Sequence, residues 1–174
     1  MLPEQFNITM VAEQPGPVKS AQGPGGMADA RIGEDRVYDL LLIPGGRGTR
    51  REVGNAPLID WIERQARHAG IVATVCTGAA LLARTGLLDG HRATTNKQAF
   101  DWVATQGPNV LWQRQARWVE DRKFVTSSGV SAGMDMMLAV IGQICGTEQA
   151  REVANWAEYV WNEDPSTDPF ANIS

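Results

Sequence analysis

Apolar residues fall in short blocks along this chain, and their spacing changes from block to block. Phe6 to Ala12 reads as a short strand. Val37 to Ile43 is nearly all apolar after Asp39, the pattern of a strand buried on both faces, and Ile71 to Val75 is a similar run. Elsewhere the period is helical. Leu58, Trp61, Ile62 and Ala66 share one face of a helix opened by Asn55-Ala56-Pro57, with Asn55 as its cap and Pro57 near the first turn, where its missing N–H costs nothing. Ala79 to Ala83 starts another helix, which stops at Thr85-Gly86. Gly90 marks a turn, Arg92 to Thr95 a short strand, and Lys97 to Gln106 a helix with Phe100 and Val103 on a common face. Leu111 to Glu120 and Lys123 to Ser127 read as two strands joined by a polar turn at Asp121-Arg122. Gly129 to Gly133 is a small-residue loop. Met134 to Cys145 is an apolar helix buried on most sides, and Glu148 to about Trp161 is a last helix capped by Thr147. Gln14 to Gly26, rich in Pro and Gly, reads as a loop with an extended piece at Val18 to Ser20, and Asp164 to Ser174 as a polar tail.

Strands alternate with helices through most of this pattern, which predicts an α/β fold with a mainly parallel sheet, all in one domain over residues 1–174. Sites in such sheets lie at the carboxyl ends of strands. Pro44-Gly45-Gly46, Cys76 and Ser127-Ser128-Gly129 all fall at such ends. Cys76 is the sharpest of these. A strand that turns into a helix at a cysteine has the geometry of a nucleophile elbow, and the helix N-terminus behind it favours thiolate. The crowded turn needs small neighbours, and Thr77, Gly78 and Ala79 are small. A buried cysteine closing a core strand would show the same local pattern.

Composition narrows the class. The hydrophobic share of 43% and charged share of 21% fit a globular chain, and a net charge of −4 with no basic block argues against nucleic-acid binding. No apolar run reaches the roughly 18 residues that span a bilayer. The first residues do not read as a signal peptide, so the expected compartment is the cytoplasm. The two cysteines, Cys76 and Cys145, do not form a disulfide framework, and Cys145 reads as a core thiol. Met134, Met136 and Met137 read as helix packing, Arg47, Arg50 and Arg51 as a solvated loop, His68 and His91 as exposed, and no metal ligands occur at a useful spacing.

LLIPGG at 41–46, ATVCTGAALLARTGLLDG at 73–90, RATTN at 92–96 and TSSGVSAGMD at 126–135 resemble, in this order and spacing, the ThiJ/PfpI superfamily of flavodoxin-like cysteine proteins. Within it they are most similar to the isocyanide hydratases and to the amidase-like domain of AraC-type regulators. The resemblance runs from about Phe6 to Phe170. It implies a flavodoxin-like three-layer sandwich, a cofactor-free enzyme hydrating an isonitrile to an N-formamide, a small-molecule substrate, and a homodimer. Six tryptophans, more large apolar surface than a lone small domain needs, fit the last. The alternative it leaves open is a non-catalytic ligand- or redox-sensing domain.

By position, the resemblance makes Cys76 the nucleophile, Thr77 one oxyanion donor through its N–H, and Gly46 the donor across the site. Gly45, Asn96 and Gly129, around the same strand ends, are the expected substrate contacts. Two departures matter. Where the family has T-T-H, this chain has Thr94-Thr95-Asn96, which argues against a Cys-His dyad and proteolysis. The family's opening strand and turn, which place a carboxylic acid against the thiol, precede the part matched here, and Glu13 does not correspond to that acid. The expectation is an exposed sheet edge and weakened catalysis.

Overall fold

The computed structural model describes residues 6–20, 23–34 and 36–173. In chain order its elements are β1 (Val11–Ala12), β2 (Gly16–Lys19), β3 (Gly25–Ala28), β4 (Ala30–Arg31), β5 (Leu40–Ile43), α1 (Thr49–Glu52), α2 (Ala56–His68), β6 (Ile71–Val75), α3 (Gly78–Arg84), β7 (Arg92–Ala93), α4 (Phe100–Gln106), β8 (Leu111–Trp112), β9 (Trp118–Asp121), β10 (Phe124–Ser127), α5 (Val130–Cys145) and α6 (Thr147–Trp156). The central sheet has the order β5-β6-β10-β9. Its first three strands are parallel, and β9 is antiparallel to β10. The fold is α/β, as the pattern predicts.

Successive residues of a strand face opposite ways, so the sheet feeds two core layers. Leu41, Ile43 and Val72 pack with Trp61, Ile62 and Ala66 of α2 and Leu81 and Leu82 of α3. Ala73 and Val125 pack with Met136 and Val140 of α5 on the other face. The Asn55 cap forms as expected, its Oδ1 accepting from Leu58 N at 3.4 Å.

Several elements differ from what the sequence pattern predicts. The span 6–12 is a strand only at Val11–Ala12, paired with β4 outside the central sheet. Ile8 is 78% exposed. The Pro/Gly segment is not a loop but the hairpin β2–β3. Gly25 makes this close pairing possible, since a Cβ there would sit 2.8 Å from Val18 O. The strand predicted at 37–43 begins at Leu40, and Leu42 is exposed rather than buried on both faces, because among the described residues β5 pairs with β6 alone. The strand predicted at 111–120 is two strands. Between them Thr94 Oγ1 donates to Gln113 O and Lys97 Nζ donates to Ala116 O, which bends the chain.

The small-residue segment at 130–133 is not a loop but the first turn of α5. Gly133 brings that turn against the sheet, where a Cβ would meet Val75 Cγ1 at 2.7 Å. Met134 and Ile144 are exposed, so this helix is less enclosed than its composition suggests, and Cys145 is half-buried. The last helix ends at Trp156. Trp161 lies beyond it and donates from Nε1 to Asp135 O. His91 is half-buried, with Nδ1 3.3 Å from Asp121 Oδ1 and its ring edge-on to Phe124. The polar tail is docked, with Asp168 and Ala171 buried.

Candidate functional site

The carboxyl ends of β5, β6 and β10 converge. β6 ends at Val75, and Cys76 takes φ +58°, the left-handed region that costs a non-glycine residue about 1–3 kcal/mol. Thr95 Oγ1 donates to Cys76 O at 2.8 Å and helps hold that conformation. The thiol-bearing residue is half-buried, and α3 starts two residues on.

Pro44-Gly45-Gly46 folds over the elbow. A Cβ on Gly45 would lie 2.6 Å from Thr77 N, 2.8 Å from Val75 O and 2.9 Å from Cys76 Cβ. Only glycine permits this approach, and its bare Cα leaves Thr77 N–H uncovered. Among the described residues that N–H has no hydrogen-bond partner. Gly46, at φ +130°, behaves differently. Its N–H donates to Thr77 Oγ1 at 2.9 Å, and Thr49 Oγ1 reaches Thr77 Oγ1 at 3.0 Å and Gly46 O at 2.7 Å. The Gly46 amide, expected to face a substrate, is therefore bonded to the Thr77 hydroxyl.

Asn96 and Gly129 are neighbours on the other side. A Cβ on Gly129 would lie 3.9 Å from Asn96 Nδ2, while Asn96 Oδ1 accepts from Ala99 N. The structure thus gathers Cys76, Thr77, Gly45 and Gly46 into one contact set and joins it to the Asn96 segment through Thr95. Among the described residues no carboxylate or histidine hydrogen-bonds the Cys76 sulfur. Glu13 instead accepts from Asn55 Nδ2, and Arg50 stacks on Trp102 at 4.6 Å. Nor do three His, Cys, Asp or Glu side chains among the described residues come together to hold a metal ion.

Sequence reasoning missed the polar groups that seat the elbow. Thr49 and Thr95 bear on it directly, and Thr94 N ties the segment to β10 by donating to Thr126 Oγ1 at 2.8 Å. Behind them lies a buried ionic cluster. Arg117 donates from Nε to Asp135 Oδ2 at 2.7 Å, and Asp135 Oδ1 accepts from Tyr159 and from Asn162 N. Lys97 Nζ stands 3.9 Å from Asp168, and burial pushes its pKa down to about 8 although Asp168 pulls it up. Burial, then the hydrogen bond to Asp135, raises the Tyr159 pKa. Asp135 lies in the TSSGVSAGMD motif, but its partners at 117, 159 and 162 are too scattered to show by spacing.

Known proteins share much of this chain. It is 34% identical over 123 residues to isonitrile hydratase from Pseudomonas putida, covering 71% of this chain and 53% of that protein. It is 32% identical over 139 residues to the HTH-type transcriptional regulator CdhR from Pseudomonas aeruginosa, covering 80% of this chain and 41% of the regulator. The chain thus spans about half the length of the curated relatives it matches. A ThiJ/PfpI family protein from Pseudomonas syringae superposes with a TM-score of 0.82 at 29% identity, over 97% of this chain and 67% of that one. No helix among the described residues is long and apolar enough to cross a membrane. The sequence profile of the DJ-1/PfpI family matches residues 2–143, and with the same fold on both sides of the structural comparison, this chain belongs to the DJ-1/PfpI family.

Proposed function

We propose that Cys76 is the nucleophile of an isonitrile hydratase-like reaction. The observation that carries this reading is the strained Cys76 elbow facing a bare Gly45 and an unpartnered Thr77 N–H. Cys76 Sγ bonds to the terminal carbon of the isonitrile, and the thiol proton ends on that carbon, leaving a thioimidate, R–N=CH–S. Water adds to the same carbon, the nitrogen takes a proton, and the C–S bond breaks. The thiol is regenerated and R–NH–CHO departs. Thr77 N–H is placed to bond the oxygen that water brings, and Gly46 N–H joins it on leaving the Thr77 hydroxyl. Loss of one such donor typically costs about 10²–10³ in rate.

With no carboxyl on the sulfur among the described residues, solvent carries the protons, and general acid–base help is worth about 10²–10⁴ in rate. Slow, Cys76-dependent turnover is therefore expected. The test is formamide production from cyclohexyl isocyanide by the wild type and Cys76→Ser. No formamide from wild type at millimolar isocyanide would refute the reading.

The likeness to CdhR and the closed Gly46–Thr77 hydrogen bond favour a second reading, a sensing domain in which Cys76 is oxidised rather than turned over. Peroxide should then take Cys76 to a sulfinic acid, with the isocyanide assay blank.

A further inference from the structure

The segment that follows α6 lies as a strap across residues 113–118. Arg117 N and Trp118 N donate to Pro165 O, and Asp168 N donates to Gln115 O at 2.7 Å. Residues 113–118 in turn hold the Thr94-Thr95 turn. Thr94 Oγ1 donates to Gln113 O, and Lys97 Nζ donates to Ala116 O at 2.6 Å and to Thr94 Oγ1 at 2.9 Å. From that turn Thr95 Oγ1 donates to Cys76 O. A non-glycine residue stays in the left-handed region only where its surroundings over-determine it, so whatever fixes the turn bears on Cys76.

Two buried charges link the strap to the turn. The Lys97 and Asp168 side chains are 2% and 1% exposed and 3.9 Å apart. Asp168 Oδ1 accepts from Phe170 N, but Oδ2 has no hydrogen-bond partner among the described residues. Buried carboxylate oxygens are ordinarily hydrogen-bonded, so this one is held by charge. Arg117 is committed to Asp135 at 2.6 Å, which leaves Lys97 to face Asp168 Oδ2. We propose that Lys97 and Asp168 are positioning residues for Cys76: Asp168 on the strap holds the Lys97 ammonium against Ala116 O and Thr94, and the turn so fixed keeps the Thr95 hydroxyl on Cys76 O. Their part in catalysis rests on Cys76 as the reacting residue. The other charges around Lys97 are Arg114, which is paired with Asp101 of α4, and the Arg117–Asp135 pair that reaches α5. Burial lowers the Lys97 pKa to about 8, Asp168 raises it and Arg114 lowers it. Above that pH Asp168 loses the charge it faces, and the hold on the elbow loosens.

The test is the NMR shift of the Thr77 amide nitrogen, the atom bonded to the Cys76 carbonyl carbon. It is followed in Cys76→Ser, so that no thiol titrates at the position read, across the titration that the Lys97 side-chain carbons report. A step at Thr77 with its midpoint at about 8 is expected. Asp168→Asn should move that step down by about 1 pH unit or more, since an opposite charge has been removed. Arg114→Gln, at a partly exposed site, should move it up, and it keeps the test decisive should the buried variant fail to fold. Thr95→Val keeps the shape and deletes the hydroxyl, so it should abolish the step while Lys97 still titrates. The proposal is overturned if Thr77 stays flat while Lys97 titrates, or if either charge substitution in a folded protein leaves the step in place. It is overturned too if the step persists in Thr95→Val, since the field of Lys97 alone would then reach Thr77. No isocyanide enters these readings, so a blank formamide assay strikes the hydratase reading alone, and a flat Thr77 strikes the positioning role alone.

Discussion

Replacing Gly45 with alanine tests the packing of the elbow at one atom. The new Cβ would lie 2.6–2.9 Å from Thr77 N, Val75 O and Cys76 Cβ, distances at which something must shift. Two of the three are backbone atoms and the third belongs to the strained Cys76, so no flexible side chain can yield. Overpacking of this kind costs about 1–3 kcal/mol. For a chain of this size that lowers Tm by about 2–12 °C, at roughly 2–4 °C per kcal/mol. The function should suffer separately, because the methyl covers the Thr77 N–H; loss of an oxyanion donor predicts formamide turnover about 10²–10³ lower. Gly48→Ala is the internal control on the same segment. Gly48 has φ −59° and nothing within 4 Å of an added Cβ. Its substitution should leave turnover intact and change stability by at most about 1 kcal/mol, in the stabilising direction. Thermal unfolding and the rate of Cys76 carboxamidomethylation read both effects. A Gly45→Ala protein with the wild-type Tm and an unchanged labelling rate would refute the contact geometry described for the site.

Three further outcomes follow from other parts of the structure. Cys76→Gly relieves the φ +58° conformation and should raise stability by up to about 1 kcal/mol in urea unfolding while abolishing turnover; a destabilised variant would show that the elbow stores no strain. Arg117→Met removes the guanidinium from buried Asp135 and should cost about 3–5 kcal/mol, so a urea midpoint close to wild type would contradict the ionic cluster. Lys97 titrates near 8 in the fold against an ordinary 10.5, so between those pH values the unfolded chain holds a proton that the folded chain has released. Stability must then rise with pH in that window, and the urea midpoint of wild type minus that of Lys97→Met should increase from pH 8 to 10.5, whereas a flat difference would refute the burial of the charge.

The parallel core of the sheet was legible because β6 is a short apolar run that stops just before Cys76, and β10 stops at Ser127 just before Ser128-Gly129. The elbow was legible for a related reason, since small residues at 77–79 mark a place where backbone approaches backbone. What escaped the pattern depended on distant partners. Val37 and Ile8 look like strand residues, but each is 70% or more exposed because a strand needs a neighbour that periodicity cannot supply. Asp168 looked like tail polarity and is buried, held by Lys97 and Arg117 from other elements. The glycines and prolines at 14–26 predicted a loop, whereas in a two-stranded ribbon they permit close pairing. At the site, the sequence pointed to Gly46 and Thr77 as separate donors, and the second hydroxyl bonded to both of them, Thr49, carried no signal of its own.

The central claim is that Cys76 Sγ bonds to an isonitrile carbon. The most direct measurement is intact-protein mass spectrometry after millisecond mixing with cyclohexyl isocyanide and acid quench, followed by peptide mapping. The account predicts a mass increase of one isocyanide on the peptide holding Cys76, absent from Cys76→Ser and decaying as formamide appears. An adduct on Cys145, or formamide formation that persists in Cys76→Ser, would contradict it.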